Sequence, residues 1–186
     1  MAKVVKPAST ALYPVPAVLV SCGVERPNLI TLAWVGTLSS DPPSLGIAVR
    51  PERHSHRLIA EGGEFVVNLP RADQVGFVDY CGHVSGRDVD KWAACGLTPA
   101  PGSKVRVPLV AQCPVGLECR VSHRLNLGAH ELFIGEVLAV QVSDDVLNAQ
   151  GHVDYQLARP LAYAGGYYWQ LGDLLGRFGD WHSGCA

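Results

Sequence analysis

The chain has 186 residues, 48% of them hydrophobic and only 17% charged, with a formal net charge of -2. This composition suits one domain with a real core and excludes a disordered chain, a collagen-like chain and a coiled coil. No lysine or arginine block is present, which argues against a nucleic-acid partner, and the low charge content points to a surface partly covered by a second subunit.

The first residues, MAKVVKPASTALYPVP, lack an unbroken apolar stretch followed by a small-residue cleavage site. Pro14 and Pro16 interrupt the best apolar run, so neither a signal peptide nor a membrane helix is expected. Six cysteines without a CxxC pair then read as the reduced thiols of a cytoplasmic protein.

Residues 15–22 read as a short buried strand. Residues 28–37, rich in β-branched and aromatic side chains, read as a second, and 44–49 as a third after Asp41-Pro42-Pro43. Ser55 is placed to cap a short helix through Ala60, stopped by Gly62-Gly63. A strand at 64–69 ends at Pro70, and 72–80 reads as helical. Ser85-Gly86-Arg87-Asp88 has the form of a capping box, which predicts a helix to Cys95 stopped by Gly96. Strands follow at 105–112, 115–125 and 131–142. Residues 117–121 and 134–142 alternate as half-buried antiparallel strands do. The tail carries 161–164, a Gly165-Gly166 turn and Tyr167-Tyr168-Trp169, three rings that pack on the barrel, a ligand or a second subunit. Many short strands with few helices between them predict a mainly β domain, a closed antiparallel barrel with short helices at its ends. With no internal repeat, residues 1–186 form one domain with a lead at 1–10 and a tail at 173–186.

Arginine outnumbers lysine 11 to 4, and arginines and histidines cluster in Arg50-Pro51-Glu52-Arg53-His54-Ser55-His56-Arg57. A serine opening a helix beside two arginines is chemistry for an anion, because a helix N-terminus offers free N–H groups and partial positive charge. The same residues also suit a solvated basic turn with an ordinary cap. In residues 28–43 hydroxyls alternate with apolar side chains before the chain breaks at Pro42-Pro43. That strand suits a core position, and it also suits presenting donors to a planar polar ring. His54-x-His56 and His182-x-x-Cys185 have metal spacing but no second ligand pair, so no metal is expected. There is no GxGxxG or Walker loop, so a nicotinamide would bind outside a Rossmann domain.

Taken in order, NLITLAWVGTLSSDPP, RPERHSHRLI, GEFVVNLP, CGHVSGRDVDKW and GAHELFIGEV resemble the flavin reductase-like proteins with the FMN-binding split-barrel fold. The similarity runs from about residue 10 to residue 172. Flavoredoxins and the reductase components of two-component monooxygenases belong to that family. The resemblance implies a homodimer with one FMN per subunit and an oxidoreductase passing hydride from NAD(P)H to FMN, with a monooxygenase or other redox protein as acceptor. The alternative it implies is a flavoredoxin-like electron carrier without NAD(P)H activity of its own. It places Ala33, Trp34, Thr37, Leu38 and Ser39 along the isoalloxazine and ribityl chain. It places Arg50, Arg53, His54 and Ser55 around the phosphate, and Ser85, Asp88 and Lys91 close to the cofactor, where capping is the competing role for those last three. His130 would sit beside the flavin ring as the catalytic residue. It could also be a strand-start histidine bonded to a carbonyl. Ala33 stands where family members often carry Ser, and Gly128-Ala129-His130 where they often read Gly-Asp-His.

Overall fold

The computed structural model describes residues 1–180. Two long strands frame it. β9 (Val115–Asn126) and β10 (Glu131–Val142) pair antiparallel along their whole length, from Asn126 opposite Glu131 to Val115 opposite Val142. Gly128 turns this hairpin at φ 86°, a left-handed conformation natural to glycine, and Asn126 Oδ1 accepts its N–H. β6 (Glu64–Leu69), β2 (Val18–Cys22) and β3 (Asn28–Leu32) extend the sheet on the β9 side. β5 (Pro43–Val49) and β4 (Val35–Ser40) extend it on the β10 side. The order is β3-β2-β6-β9-β10-β5-β4, antiparallel throughout.

Two register shifts, at Ile134/Gly135 and Val137/Ala139, bend the central ladder. A Cβ at Gly135 would meet Phe65 Cζ at 2.6 Å, so the bend depends on glycine to let the Phe65 ring close across the concave face. The sheet curls around Val20, Ile47, Phe65 and Phe133, all fully buried, and α1 (His54–Gly62) lays Ile59 on the same core. Each such side chain contributes roughly 1.5–3 kcal/mol by leaving water. β2 is buried along its whole length because both of its faces are covered. Its far side packs Leu19 against Leu29, Cys81 and Trp92, beneath α2 (Val75–His83) and α3 (Lys91–Ala94). A separate three-stranded sheet joins β1 (Val15–Pro16), β11 (Leu161–Ala164) and β12 (Tyr167–Gln170). Among the described residues no helix is long and apolar enough to cross a membrane.

The mainly β class and the short helices agree with the sequence reading, but the hydrogen-bonded sheet is a curled half-barrel rather than a closed one. β3 and β4 terminate the ladder on its two sides and are not hydrogen-bonded neighbours. They are consecutive in the chain, so the strand expected at 28–37 is two strands separated by a bend at Ala33-Trp34. The strand expected at 15–22 also divides, at Ala17, whose N–H donates to Leu161 O in the small sheet. The strand expected at 105–112 shrinks to β8 (Leu109–Val110), paired with β7 (Pro99–Ala100). Its first part is drawn away because the N–H groups of Ser103, Lys104 and Val105 donate to the buried Glu118 carboxylate.

Two helix starts differ from expectation as well. Arg53, not Ser55, occupies the cap position of α1, without a side-chain cap bond. Ser55 lies inside the helix, 1% exposed, where its Oγ accepts from Asn28 Nδ2 at 2.8 Å. Ser85 opens a turn and not a helix: its carbonyl accepts from Asp88 N and Val89 N, and its Oγ accepts from Arg87 N. The helix that follows is a single turn, α3, capped by Asp90, whose Oδ1 accepts from Trp92 N and Ala93 N. The stop of α1 agrees with expectation: Gly63 turns at φ 67° and donates to Ile59 O.

Candidate functional site

The break between β3 and β4 opens a cleft of about 530 Å³. Its floor is the β3 residues Ile30 to Leu32 with Ala33 and Trp34 at the bend. One side is the end of β5 and the turn into α1, bringing Ala48, Arg50 and Arg53. His130 enters from the β9–β10 hairpin. The far wall is α2, through Asp79, Gly82 and His83, together with Tyr163, Gly166 and Tyr168 of the β11–β12 hairpin. With Ala17, six segments far apart in sequence therefore meet at the seam of the half-barrel.

Trp34 and His130 stack with ring centroids 6.4 Å apart and planes 14° from parallel. The hairpin carrying His130 is held by its neighbour Glu131. That carboxylate accepts from Arg124 Nε at 2.8 Å and Arg124 Nη2 at 3.0 Å, and bonds His56 Nε2 of α1 at 2.6 Å. The Arg124 bonds, with help from His56, hold the Glu131 pKa below the usual carboxylate range against the opposing effect of burial. His130 O also accepts from Leu127 N at 2.8 Å, which closes the turn. So the histidine has the backbone role of a strand-start residue, while its ring lies on the tryptophan in the cleft.

Arg50 and Arg53 are held together by the turn bond Arg53 N to Arg50 O at 3.0 Å. His54 follows as the first residue of α1. Its pKa is pushed down by burial first, then by the cations Arg87, Arg57, Lys91 and Arg26, so the start of this helix is a positive region. Ser55 and Lys91 lie below it in a buried polar node. Lys91 is 4% exposed, and its Nζ donates to Leu29 O at 2.7 Å and Cys81 O at 2.8 Å. Burial pushes its ammonium pKa down, and two of its three donors serve these carbonyls. Gly86 closes the node from above, since a Cβ there would meet Asn28 Oδ1 at 2.0 Å.

Of the residues singled out from the sequence, Ala33, Trp34, Arg50, Arg53 and His130 line the cleft. Leu38 lines a smaller apolar cleft of about 290 Å³ that shares Ala33, Trp34 and Ala48 and is walled by Leu12, Tyr13 and Leu132. Thr37 and Ser39 are exposed along β4, outside both clefts, and Asp88 is exposed on its turn. The His182-x-x-Cys185 spacing lies outside the described residues.

The sequence reading missed Asp79, His83 and Tyr163 as cleft residues. Tyr168 Oη donates to Asp79 Oδ1 at 3.1 Å, and His83 Nδ1 lies 2.9 Å from Asp79 O. Burial and the Asp79 carboxylate push the Tyr168 phenol pKa up to about 12. Tyr163 meets Tyr168 and Tyr13 edge to face. The sequence signal for Tyr168 was the aromatic run after the Gly165-Gly166 turn, and Tyr163 lies opposite it across that turn, in the strand paired with β1.

A curled antiparallel sheet, split along one seam into a ring-walled cleft with two arginines at its mouth, is the class this architecture defines. The particular family follows from comparison with known proteins. The chain belongs to the flavin reductase like domain family, whose profile matches residues 10–172. A curated relative, an uncharacterized protein of Archaeoglobus fulgidus, is 39% identical over 145 residues, covering 78% of this chain and 82% of that one. Among solved structures, flavoredoxin of Desulfovibrio vulgaris superposes with a TM-score of 0.91 at 33% identity, covering 96% of this chain and 98% of that chain. An FMN-binding protein from Thermus thermophilus, solved with bound 1-cyclohex-2-enone, superposes with a TM-score of 0.76 at 28% identity, covering 91% and 93%.

Proposed function

We propose that this chain binds FMN in the larger cleft and acts as an oxidoreductase that draws reducing equivalents from NAD(P)H and passes them to a redox partner. The observation that carries the reading is the pairing, in one cleft, of the stacked Trp34–His130 rings with Arg50 and Arg53 beside the positive start of α1. The cleft fits the group: its volume of about 530 Å³ lies within the roughly 300–1,000 Å³ range of cofactor pockets. Rings stand where a flat conjugated system needs faces, and guanidinium groups stand where a phosphate needs forked donors.

Bound FMN would supply the hydride- and electron-transfer chemistry. The chain's own residues bind and orient. Arg50 and Arg53 neutralise a phosphate at the mouth. Trp34 and Tyr163 limit the tilt of the ring system and exclude water from one side. His130 donates an N–H to a ring carbonyl or faces negative charge that develops on the ring, and Glu131 fixes its position through Arg124 and His56. The exposed apolar residues Leu12, Leu38 and Trp34 around the smaller cleft support assembly as a homodimer, and Thr37 and Ser39 on β4 would then complete the site at the subunit interface.

A second reading, an electron carrier without NAD(P)H activity of its own, is favoured by the likeness to flavoredoxin over nearly the whole chain. Anaerobic titration with NADH and NADPH separates the two: bleaching of the visible flavin bands supports the reductase. A flavin that only dithionite reduces supports the carrier. The phosphate assignment is tested with Arg53→Ala. A charge-assisted hydrogen bond to phosphate is worth about 1.5–3 kcal/mol, so FMN should bind about tenfold more weakly or worse, with riboflavin nearly unchanged. Equal losses for both ligands would remove Arg53 from the phosphate site.

A further inference from the structure

α2 has two working faces. One carries Asp79, Gly82 and His83 into the cleft. The other carries Cys81 into the apolar cluster shared with Trp92, Leu97 and Cys113, against which Cys95 packs. Cys81 and Cys95 face each other there with Sγ atoms 3.9 Å apart. Cys81 is 1% exposed, whereas Cys95 is the one free cysteine among the described residues that is not buried. Lys91 ties the same two elements together, since its Nζ donates to Cys81 O from the first residue of α3.

We propose that Cys81 and Cys95 form a reversible dithiol–disulfide centre, oxidised by hydroperoxides, that fastens α3 to the back of the helix walling the cleft. The proposal stands whichever cofactor the cleft holds. A disulfide needs its sulfurs about 2.05 Å apart, so the pair must close by about 2 Å. Cys95 is placed to make that movement. It is the C-cap of α3, outside the regular helix, and the next residue, Gly96, turns at φ 62°. The two cysteines come from separate elements, and the segment between them includes the exposed Arg87 and Asp88.

Exposure sets the order of events. The Cys95 sulfur attacks one oxygen of hydrogen peroxide and the O–O bond breaks. The released hydroxide takes the thiol proton and leaves as water, and Cys95 becomes a sulfenic acid. The Cys81 sulfur then attacks the Cys95 sulfur. The S–O bond breaks, and the departing hydroxide takes the Cys81 proton as a second water. The two thiols have lost two electrons, and one peroxide has gained them. Burial pushes the Cys81 thiol pKa up to about 12, with the neighbouring Cys95 adding to the effect, so Cys81 is not the first to react, and its attack depends on being held against the oxidised Cys95 sulfur.

The test uses the full chain carrying Cys185→Ala, so that this cysteine, outside the described residues, adds no thiol. Of the six cysteines in the sequence five remain. Titration of the reduced protein with hydrogen peroxide should lower the thiol count measured in denaturant from five to three. Proteolytic mapping should recover the Cys81 and Cys95 peptides joined, lighter by two hydrogen atoms, and dithiothreitol should restore all five thiols. Adding Cys95→Ala, at a partly exposed position that tolerates truncation, should leave every remaining thiol intact under the same treatment. A cross-link through Cys113, a link between two chains, or Cys95 driven to sulfinic acid with Cys81 still reduced would each overturn the proposal.

Discussion

Replacing Glu118 with Gln tests a buried, densely hydrogen-bonded carboxylate. Its carboxylate is 0% exposed and accepts from Ser103 N, Ser103 Oγ, Lys104 N, Val105 N and Gln141 Nε2, at 2.6–3.0 Å. Burial by itself would raise its pKa. The hydrogen bonds, from Gln141, Ser103 and Lys104 above all, outweigh burial and bring it from 4.5 to about 2. A pKa depressed in the folded state stabilises the protein above the unfolded value, and that stability drains away as pH falls from about 4.5 toward about 2. At about 1.36 kcal/mol per pH unit the ceiling is about 3 kcal/mol, and screening through the neighbouring exposed loop brings the expected value to about 2 kcal/mol. Glu118→Gln keeps the shape but loses the charge and turns an NH2 toward backbone donors. Urea unfolding at pH 7 should show the variant less stable than the parent by at least that amount, with the gap closing by about 1–2 kcal/mol near pH 3. A gap of the same size at both pH values would refute the assignment of a charged, hydrogen-bonded carboxylate.

Three further outcomes follow from the site. His130→Ala should lower the flavin midpoint potential and slow reduction by NAD(P)H while changing FMN affinity only modestly; an unaltered potential and single-turnover rate, with a lower melting temperature, would leave the histidine only its turn. Glu131→Gln breaks the forked bond to Arg124 and weakens that to His56, and should cost about 1–3 kcal/mol in chemical unfolding while reproducing part of the His130→Ala kinetic defect. Gly86→Ala drives a Cβ to 2.0 Å from Asn28 Oδ1, in a side chain already fixed by its bond to Ser55; it should destabilise by about 1–3 kcal/mol, and unfolding midpoints equal to the parent's would show that the node yields freely.

What was legible in the sequence was whatever depends on neighbours along the chain. The alternation of 117–121 and 134–142 gave β9 and β10, and Gly62-Gly63 gave the end of α1 within two residues. The errors share one cause, which is a distant partner competing for a local group. Ser55 has the chemistry of a cap, but Asn28, twenty-seven positions away, holds its hydroxyl. Ser85 and Asp88 have the spacing of a capping box, yet Gly86 must sit against Asn28, so the helix waits until Asp90, the next aspartate. Residues 105–112 read as one strand, but Glu118 takes the N–H groups of Ser103, Lys104 and Val105 and holds the start of that segment in a loop. Asn28 therefore decides two of these outcomes at once, and it lies at the start of the edge strand that leads to Ala33 and Trp34. The same opening of the sheet that leaves β3 and β4 unpaired with each other places His130, Arg53 and Tyr163 around one cleft. In this half-barrel the proposed site is the cleft at the unclosed seam of the fold, so the residues hardest to assign from local pattern are those that hold the seam open.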